Sequence, residues 1–290
     1  MNHRLKTTIF KVLDVLPHSV GDRIYHNLQR FLQKNSLEEK IKANSVSFNT
    51  IKNILEKNAI TLTGQKVLEI GSGWVPIMPY LLKYELGAAH VHTYDLNEHY
   101  NKQEITELNA HYNKKGHNLG ELDDRGLPAF ITYGPKTNVI APEVLDGNDS
   151  QFVFSRFVLE HVPPDKIKAM HERFIQHLKR PFYVMHLISP SDHRAYGNSG
   201  LSYYDFLKYS EEEWNRIQTR FDYHNRLRLP QYLKIFEGLG YEVVSLRYDG
   251  AAAGTEKYRK FKALNIHEDF KRYTEEELLA GSIDILLKYS

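Results

Sequence analysis

Hydrophobic residues over positions 5–58 recur at the spacing of amphipathic helices. The recurrence runs through Ile9, Val12, Leu13 and Leu16, and it resumes at Ile24, Leu28 and Leu32. Pro17 and Gly21 lie between the two runs and interrupt them. The pattern predicts two or three helices before the chain changes character.

From Lys66 onwards, short runs rich in β-branched and aromatic residues alternate with longer amphipathic stretches. This alternation is typical of repeated βα units, and it predicts an α/β fold with a parallel sheet. The predicted strands are 66–70, 90–95, 130–133, 151–155, 182–189, 241–248 and 283–288. The predicted helices between them are 76–86, 98–115, 164–178 and 230–239.

Two segments depart from this alternation. Residues 118–128 form a polar, acidic connection, and residues 191–229 far exceed the 2–6 residues usual for a connection in an α/β unit. The longer segment is rich in Tyr, Trp, His and Arg, a composition suited to a ligand site. We expect an N-terminal helical cap over 1–60 and a catalytic domain over 61–290, with a substrate-side insertion at about 191–229.

Composition excludes several classes of protein. The 290 residues are 41% hydrophobic and 26% charged, which fits a globular chain. The absence of cysteine rules out disulfides, thiolate metal sites and a cysteine nucleophile. A net charge of +2 disfavours nucleic acid as a partner, although residues 1–60 carry a balance of +5. No apolar run is long enough to span a bilayer, so we expect a soluble, cytoplasmic protein.

The most informative motif is an apolar strand that runs into a glycine turn and then a helix, Val-Leu-Glu-Ile-Gly-Ser-Gly-Trp-Val-Pro over 67–76. Gly71 and Gly73 allow a tight turn and a close approach of the backbone to a ligand. Asp95, at the end of the next predicted strand, follows Gly73 by 22 residues and is placed to accept hydrogen bonds from ribose hydroxyls. The motif therefore predicts a ribose-bearing ligand.

The sixth position of the glycine motif separates two classes of ligand. A dinucleotide site requires G-x-G-x-x-G, but this sequence has Pro76 in place of the last glycine. A phosphate-binding G-x-x-x-x-G-K-[ST] motif is absent as well. A nicotinamide-dependent oxidoreductase is thus a disfavoured alternative.

The glycine turn, Asp95 and the segment Phe-Val-Phe-Ser-Arg-Phe-Val-Leu-Glu-His-Val over 152–162 together resemble the class I S-adenosylmethionine-dependent methyltransferases. The resemblance implies a doubly wound, seven-stranded, mostly parallel sheet with an antiparallel last strand, and S-adenosyl-L-methionine as cofactor. The third glycine common in the family's first motif falls here on Val75, which departs from the pattern. Carried over to this sequence, the implied cofactor-binding residues are Glu69, Gly71, Ser72, Gly73, Asp95 and Ser155, with Leu96 and Tyr133 beside the adenine.

The acceptor site is expected after the fifth strand and in the insertion. The insertion is more loosely similar to a bacterial methyltransferase subgroup associated with polysaccharides and small metabolites, and it offers as substrate-binding residues Asp192, Tyr203, Asn225, Arg226 and Arg228. Arginine suits a carboxylate or phosphate on the acceptor, while a salt-bridged role is the plainer alternative.

Proton removal from an acceptor suits histidine, since its ordinary pKa near 6.5 leaves it largely neutral at cellular pH. His161, His186 and His193 follow or end sheet strands and are the catalytic candidates. Asp192, His193 and His224 carry groups that bind metals, but no spaced motif supports a metal site, and we predict none.

The sequence thus predicts methyl transfer to a small polar acceptor, with oxygen slightly favoured over nitrogen as the acceptor atom. Two alternatives stay open: the oxidoreductase named above, and a binding subunit of the same fold that does not turn over. The oligomeric state is not determined by these patterns.

Overall fold

The computed structural model describes residues 3–32, 35–196 and 198–290. Residues 1–2 and 33–34 of the predicted cap, and residue 197 of the insertion, lie outside the described residues. The helices are α1 His3–Asp14, α2 His18–Leu32, α3 Leu37–Lys57, α4 Ile77–Leu86, α5 Lys102–Lys114, α6 Pro164–His177, α7 Glu211–Ile217, α8 Leu229–Gly238, α9 Glu256–Lys262 and α10 Glu275–Leu279.

Seven strands form one sheet in the order β3-β2-β1-β4-β5-β7-β6. They are β1 Lys66–Ile70, β2 His90–Tyr94, β3 Ile131–Gly134, β4 Phe152–Arg156, β5 Phe182–Ile188, β6 Glu242–Asp249 and β7 Ser282–Tyr289. The first five strands pair in parallel, whereas β7 runs antiparallel to both β5 and β6. The expected seven-stranded, mostly parallel sheet with an antiparallel last strand is confirmed, and each strand lies within one residue of its predicted bounds.

Helices cover both faces of the sheet, because the central strands bury alternate residues on opposite sides. Val67 of β1 packs with Ile51 of α3 and Tyr80 of α4 on one face. Leu68 of the same strand packs with Ile167 of α6 and Phe236 of α8 on the other. The two faces hold separate hydrophobic clusters, so the fold is a doubly wound sandwich of helices around one sheet.

The region between β6 and β7 contains two short helices, α9 and α10, that the sequence patterns did not predict. Their apolar side chains, such as Phe261 and Leu278, pack with Tyr204, Phe206 and Trp214 of the insertion in a third cluster. The hydroxyl of Tyr204 also donates to the carbonyl of Leu279 at 2.7 Å. The insertion is therefore anchored on the β6–β7 connection.

The first two helices are held by one arginine of the insertion. Arg220 donates to the carbonyl of Asp14 at 2.8 Å and to its carboxylate at 3.1 Å, and it approaches the carboxylate of Asp22 at 3.4 Å. The rings of Tyr25 and Phe221 stack at a centroid separation of 4.7 Å.

Among the described residues, no helix is both long and apolar enough to cross a lipid bilayer.

Candidate functional site at the carboxyl ends of β1, β2 and β4

The glycine turn leaves β1 through two left-handed residues. Gly71 has a φ of 85° and Gly73 a φ of 63°, which side-chain-bearing residues rarely adopt. A Cβ on Gly71 would lie 2.4 Å from Cγ2 of Val158, so the loop after β4 packs directly on the turn. A Cβ on Gly73 would meet nothing within 4 Å. The protein therefore packs tightly against the turn at Gly71, whereas Gly73 faces open space.

Asp95 fixes the turn from the end of β2. Its Oδ2 accepts from the backbone N–H of Ser72 at 2.9 Å and lies 3.3 Å from the Ser72 hydroxyl, while its Oδ1 accepts from the N–H of Asn97 at 2.8 Å. His99 approaches the same Oδ1 at 3.5 Å. The structure thus brings together the glycine turn and the acid that the sequence paired with it.

Glu69, the single acidic residue of β1, is almost fully buried, with 3% of its surface exposed. Its Oε2 has no hydrogen-bond partner among the described residues. Burial raises the pKa of the carboxyl to about 8, an effect that a hydrogen-bonding contact with Thr93 and the charge of Arg156 only partly oppose. A buried carboxyl oxygen without a partner is costly, and it suits a cationic ligand group that supplies the missing donor.

The turn opens into a cavity of about 810 Å³. Its volume falls in the range of roughly 300–1,000 Å³ typical of small-molecule sites. Its lining includes the glycine turn with Glu69, Asp95, Leu96 and Asn97; residues 137–140 after β3; Arg156 at the end of β4 and His161 after it; Lys166 and Met170 of α6; and Tyr25, His26, Lys40 and Asn44 from α2 and α3. The N-terminal helices thus form one wall of the site.

An aromatic cluster adjoins the glycine turn, and sequence reasoning missed it. The rings of Trp74 and His99 lie 4.4 Å apart, and His26 of α2 packs on His99 at 5.4 Å. Nε2 of His26 lies 3.1 Å from Oδ1 of Asn97. Trp74 belonged to the motif already recognised, but no local pattern connected the other three residues.

The two residues expected beside the adenine differ in position. Leu96 is 66% exposed and lines the cavity. Tyr133 does not line it, because its ring stacks on Tyr100 at 4.1 Å and its hydroxyl accepts from the N–H of His99 at 3.0 Å. The chain after β3 instead presents residues 137–140 to the cavity.

Ser155 and His186 lie inside the sheet rather than at the cavity. The Ser155 hydroxyl lies 2.7 Å from Nδ1 of His186, whose Nε2 lies 3.1 Å from Nε2 of His171. Burial lowers the pKa of His186 to about 3 and holds that of His171 well below its ordinary value. Both nitrogens of His186 are engaged in this buried chain, so the structure gives it no access to an acceptor.

Arg226 and Arg228, the two expected anion clamps, are buried and bind groups of the protein itself. Arg226 donates to the carbonyls of Phe206 at 3.0 Å and Tyr209 at 2.7 Å, and it forms an ion pair with the carboxylate of Glu211 at 2.5 Å. Arg228 donates to the carbonyl of Pro190 at 2.6 Å and is fully buried. Neither guanidinium lines the cavity, so both arginines hold the insertion in place rather than meeting a ligand there.

Asn225 performs a similar function at the loop after β4. Its amide donates to the carbonyls of Leu159 at 2.6 Å and Val162 at 2.9 Å. Asp192 is buried and pairs with Arg194 at 2.6 Å. Tyr203 is partly exposed and lies outside the cavity lining. None of the five expected substrate residues lines the cavity.

The remaining two catalytic candidates belong to a histidine cluster. The rings of His161 and His193 lie 4.9 Å apart, and His224 lies 5.9 Å from the first and 5.1 Å from the second. Only His161 of the three lines the cavity. Its Nδ1 donates to the carbonyl of Tyr223 at 2.8 Å, which leaves Nε2 as the nitrogen without a proton in the neutral ring.

No family model matches the chain, and no curated protein matches it. Among solved structures, it is similar to magnesium protoporphyrin IX methyltransferase from Synechocystis PCC 6803 with bound SAH, at 12% identity and a TM-score of 0.49, over 89% of each chain. A methyltransferase from Methanosarcina mazei is 15% identical over 81% of this chain and 96% of that one, with a TM-score of 0.47. One from Mesorhizobium loti is 13% identical over 82% and 96%, with a TM-score of 0.45.

At these identities and TM-scores, the similar structures do not by themselves assign an activity. The sheet order and the local geometry are direct observations on this chain. The antiparallel β7 lies between β5 and β6, and a glycine turn and an acid meet at the ends of β1 and β2. The chain has the fold of the class I S-adenosylmethionine-dependent methyltransferases.

Proposed function

We propose that the protein transfers a methyl group from S-adenosylmethionine to a small polar acceptor, with a hydroxyl oxygen favoured as the methylated atom. One observation carries the proposal. The glycine turn, held by Asp95 and adjoining the partnerless carboxyl oxygen of Glu69, opens into an 810 Å³ cavity that His161 also lines. A cofactor site and a candidate proton acceptor therefore share one cavity.

The residues at the turn fit this cofactor. Oε2 of Glu69 supplies the acceptor that the ammonium of its amino-acid part requires, and the open space at Gly73 admits a ligand against the backbone. Asp95 keeps further lone pairs for ribose hydroxyls, and Leu96 offers an apolar surface for the base. When bound, the cofactor supplies an electrophilic methyl group on a sulfonium.

The far side of the cavity suits a small acceptor. The wall formed by α2 and α3 reduces access from bulk water. This favours a small acceptor that enters the cavity over a large one that binds at an open surface. His161 lines the same cavity and is a group suited to accept the proton of an attacking hydroxyl, which supports oxygen over nitrogen. Arg156 places a positive charge on the same lining and favours an acceptor with an anionic group.

The geometry also weighs against the oxidoreductase alternative. Pro76 lies at the start of α4, where a dinucleotide pyrophosphate would accept hydrogen bonds from backbone N–H groups. Proline has no N–H to donate. The helix start that follows the turn is thus poorly equipped for a pyrophosphate.

Calorimetric titration of the full chain with S-adenosylhomocysteine, beside NAD and NADH, tests the proposal. Binding of S-adenosylhomocysteine alone is expected, and Asp95→Ala should weaken it by about 10- to 150-fold, the equivalent of roughly 1.5–3 kcal/mol for a hydrogen bond to a charged group. Asp124→Ala, which removes an exposed acid outside the cavity lining, is the matched control and should bind like the unaltered protein. Binding of NAD in place of S-adenosylhomocysteine would overturn the proposal.

A further inference from the structure

Three ligand-type side chains converge at the edge of the cavity. A carboxylate oxygen of Glu160 and one ring nitrogen each of His161 and His193 all lie within 4.8 Å of one another. We propose that these three residues bind a divalent transition metal ion, of the nitrogen- and oxygen-preferring class that includes Zn²⁺ and Co²⁺. The site contains two imidazoles and one carboxylate, and it leaves coordination positions open for water or an acceptor oxygen.

Glu160 is the strongest argument for a bound cation. Its side chain is fully buried, and neither carboxylate oxygen has a hydrogen-bond partner in the part of the chain that the structure describes. The backbone N–H groups of Glu160 and Ser189 and the Arg156 guanidinium lie close enough to stabilise the ionised carboxyl. A buried carboxyl whose two oxygens accept no well-formed hydrogen bond is rare, because little compensates for their lost contact with water. A cation bound between Glu160 and the two imidazoles removes this penalty.

His161 is already oriented as a metal ligand. It closes the short 3₁₀ turn Leu159–His161, so it and Glu160 are fixed by the same backbone. Its Nδ1–H donates to the carbonyl of Tyr223 at 2.8 Å, which sets the tautomer and places the lone pair of the neutral ring on Nε2. Metal-binding histidines commonly donate their other N–H in this way.

His193 is positioned by the insertion. It starts the 3₁₀ turn His193–Ala195, which Asp192 caps by accepting from the N–H of Arg194 at 2.9 Å. Its ring stacks on Tyr196 at a centroid separation of 4.9 Å. Two elements far apart in sequence thus present their ligands to one point.

His224 completes the cluster as a donor and not as a ligand. Its Nδ1 accepts from the N–H of Arg226 at 3.2 Å, so the proton of the neutral ring is on Nε2. This Nε2–H is buried beside the backbone of Ser189 and is not available as a metal ligand.

The catalytic role of the metal rests on the proposed function, whereas the site itself does not. With Nε2 on the metal, His161 would no longer be the proton acceptor. The metal would instead bind the hydroxyl oxygen of the acceptor and lower its pKa, and the released proton would pass to water. Because His161 lines the cavity, the open coordination positions adjoin the space proposed for the acceptor.

The test uses the full chain without an affinity tag, stripped with a chelator and then titrated with Zn²⁺ by calorimetry and with Co²⁺ by visible absorption. We expect one Zn²⁺ per chain with a Kd below about 1 µM, and Co²⁺ bands typical of fewer than six ligands. Glu160→Gln, which keeps the shape of the side chain, and His193→Ala should each weaken Zn²⁺ binding by at least about 100-fold. His117→Ala, which removes a histidine stacked on Tyr84, is the control and should leave the affinity unchanged.

Two results would overturn the site: no Zn²⁺ binding by the folded chain, or the same affinity in Glu160→Gln as in the unaltered protein. Circular dichroism of each variant verifies that it folds. Neither titration contains S-adenosylmethionine or an acceptor. Loss of the metal site with intact S-adenosylhomocysteine binding therefore rejects this inference alone, and the reverse result rejects the proposed function alone.

Discussion

Cofactor binding should release a proton from Glu69. Burial raises the pKa of this carboxyl to about 8, so about 0.9 of the molecules carry the proton at pH 7 without ligand. An ammonium group placed against Oε2 favours the carboxylate, because an opposite charge stabilises the ionised form. Binding of S-adenosylhomocysteine at pH 7 should then release close to 0.9 proton per molecule.

The same reasoning fixes the pH dependence of the affinity. Only the ionised carboxyl binds the ammonium well, and with a pKa of about 8 the ionised fraction falls from about one half at pH 8 to about one hundredth at pH 6. The affinity should therefore fall about 50-fold as the pH is lowered from 8 to 6. An ordinary exposed glutamate stays ionised over this range and would give no change in affinity.

Calorimetry in buffers of different ionisation enthalpy measures the proton release directly. Glu69→Gln should abolish the release, flatten the pH dependence and weaken binding by the roughly 1.5–3 kcal/mol of a charged hydrogen bond. Glu98→Gln is the matched control, since Glu98 is an exposed residue that pairs with Lys136 outside the cavity lining. No release by the unaltered protein, or an equal release by Glu69→Gln, would refute the reasoning.

Two further predictions concern stability. Gly71→Ala should lower the free energy of unfolding in urea by about 2–4 kcal/mol, because its Cβ would combine left-handed backbone strain with a 2.4 Å approach to Val158. Gly73→Ala should lower it by only about 1–2 kcal/mol, because its Cβ adds the backbone strain alone. Equal losses in the two variants would contradict the packing described. Because burial lowers the pKa of His186 to about 3, the unfolded chain takes up its proton first as the pH falls below about 6.5. The unaltered protein should then lose up to about 1.4 kcal/mol per pH unit more than His186→Gln between pH 6 and pH 4, and parallel curves would count against the buried histidine chain.

The strands were predictable because their physical cause is local. Central strands of a parallel sheet are buried on both faces, so β4 and β5 appear in the sequence as short apolar runs bounded by polar residues. The glycine turn was recognisable for a similar reason, since two left-handed residues after an apolar strand leave little choice but glycine. Its pairing with Asp95 follows from the parallel alignment of β1 and β2.

The helices α9 and α10 had no such local signal. They have seven and five residues, too short for a helical period to be distinguished, and their apolar side chains are explained only by the distant insertion on which they pack. The walls formed by α2, α3 and residues 137–140 were hidden for the same reason. Contacts between distant segments leave no pattern in either segment alone.

The histidines differ in how well their surroundings could be predicted from the sequence. His186 falls inside predicted strand 182–189, two residues from Val184, and strand alternation places both on the buried face that packs with Phe236. That signal was available and argues against a catalytic role. By contrast, the convergence of His161, His193 and Glu160 depends on the path of the insertion, which no spacing rule describes.

A crystal structure of the protein with S-adenosylhomocysteine tests the central claim most directly. The account predicts the ligand's ammonium within hydrogen-bond distance of Oε2 of Glu69, its ribose hydroxyls on Asp95, and its sulfur on the side of the cavity that leads to His161. A ligand bound elsewhere on the chain, or one that leaves the glycine turn uncontacted, would contradict the assignment of this cavity to methyl transfer.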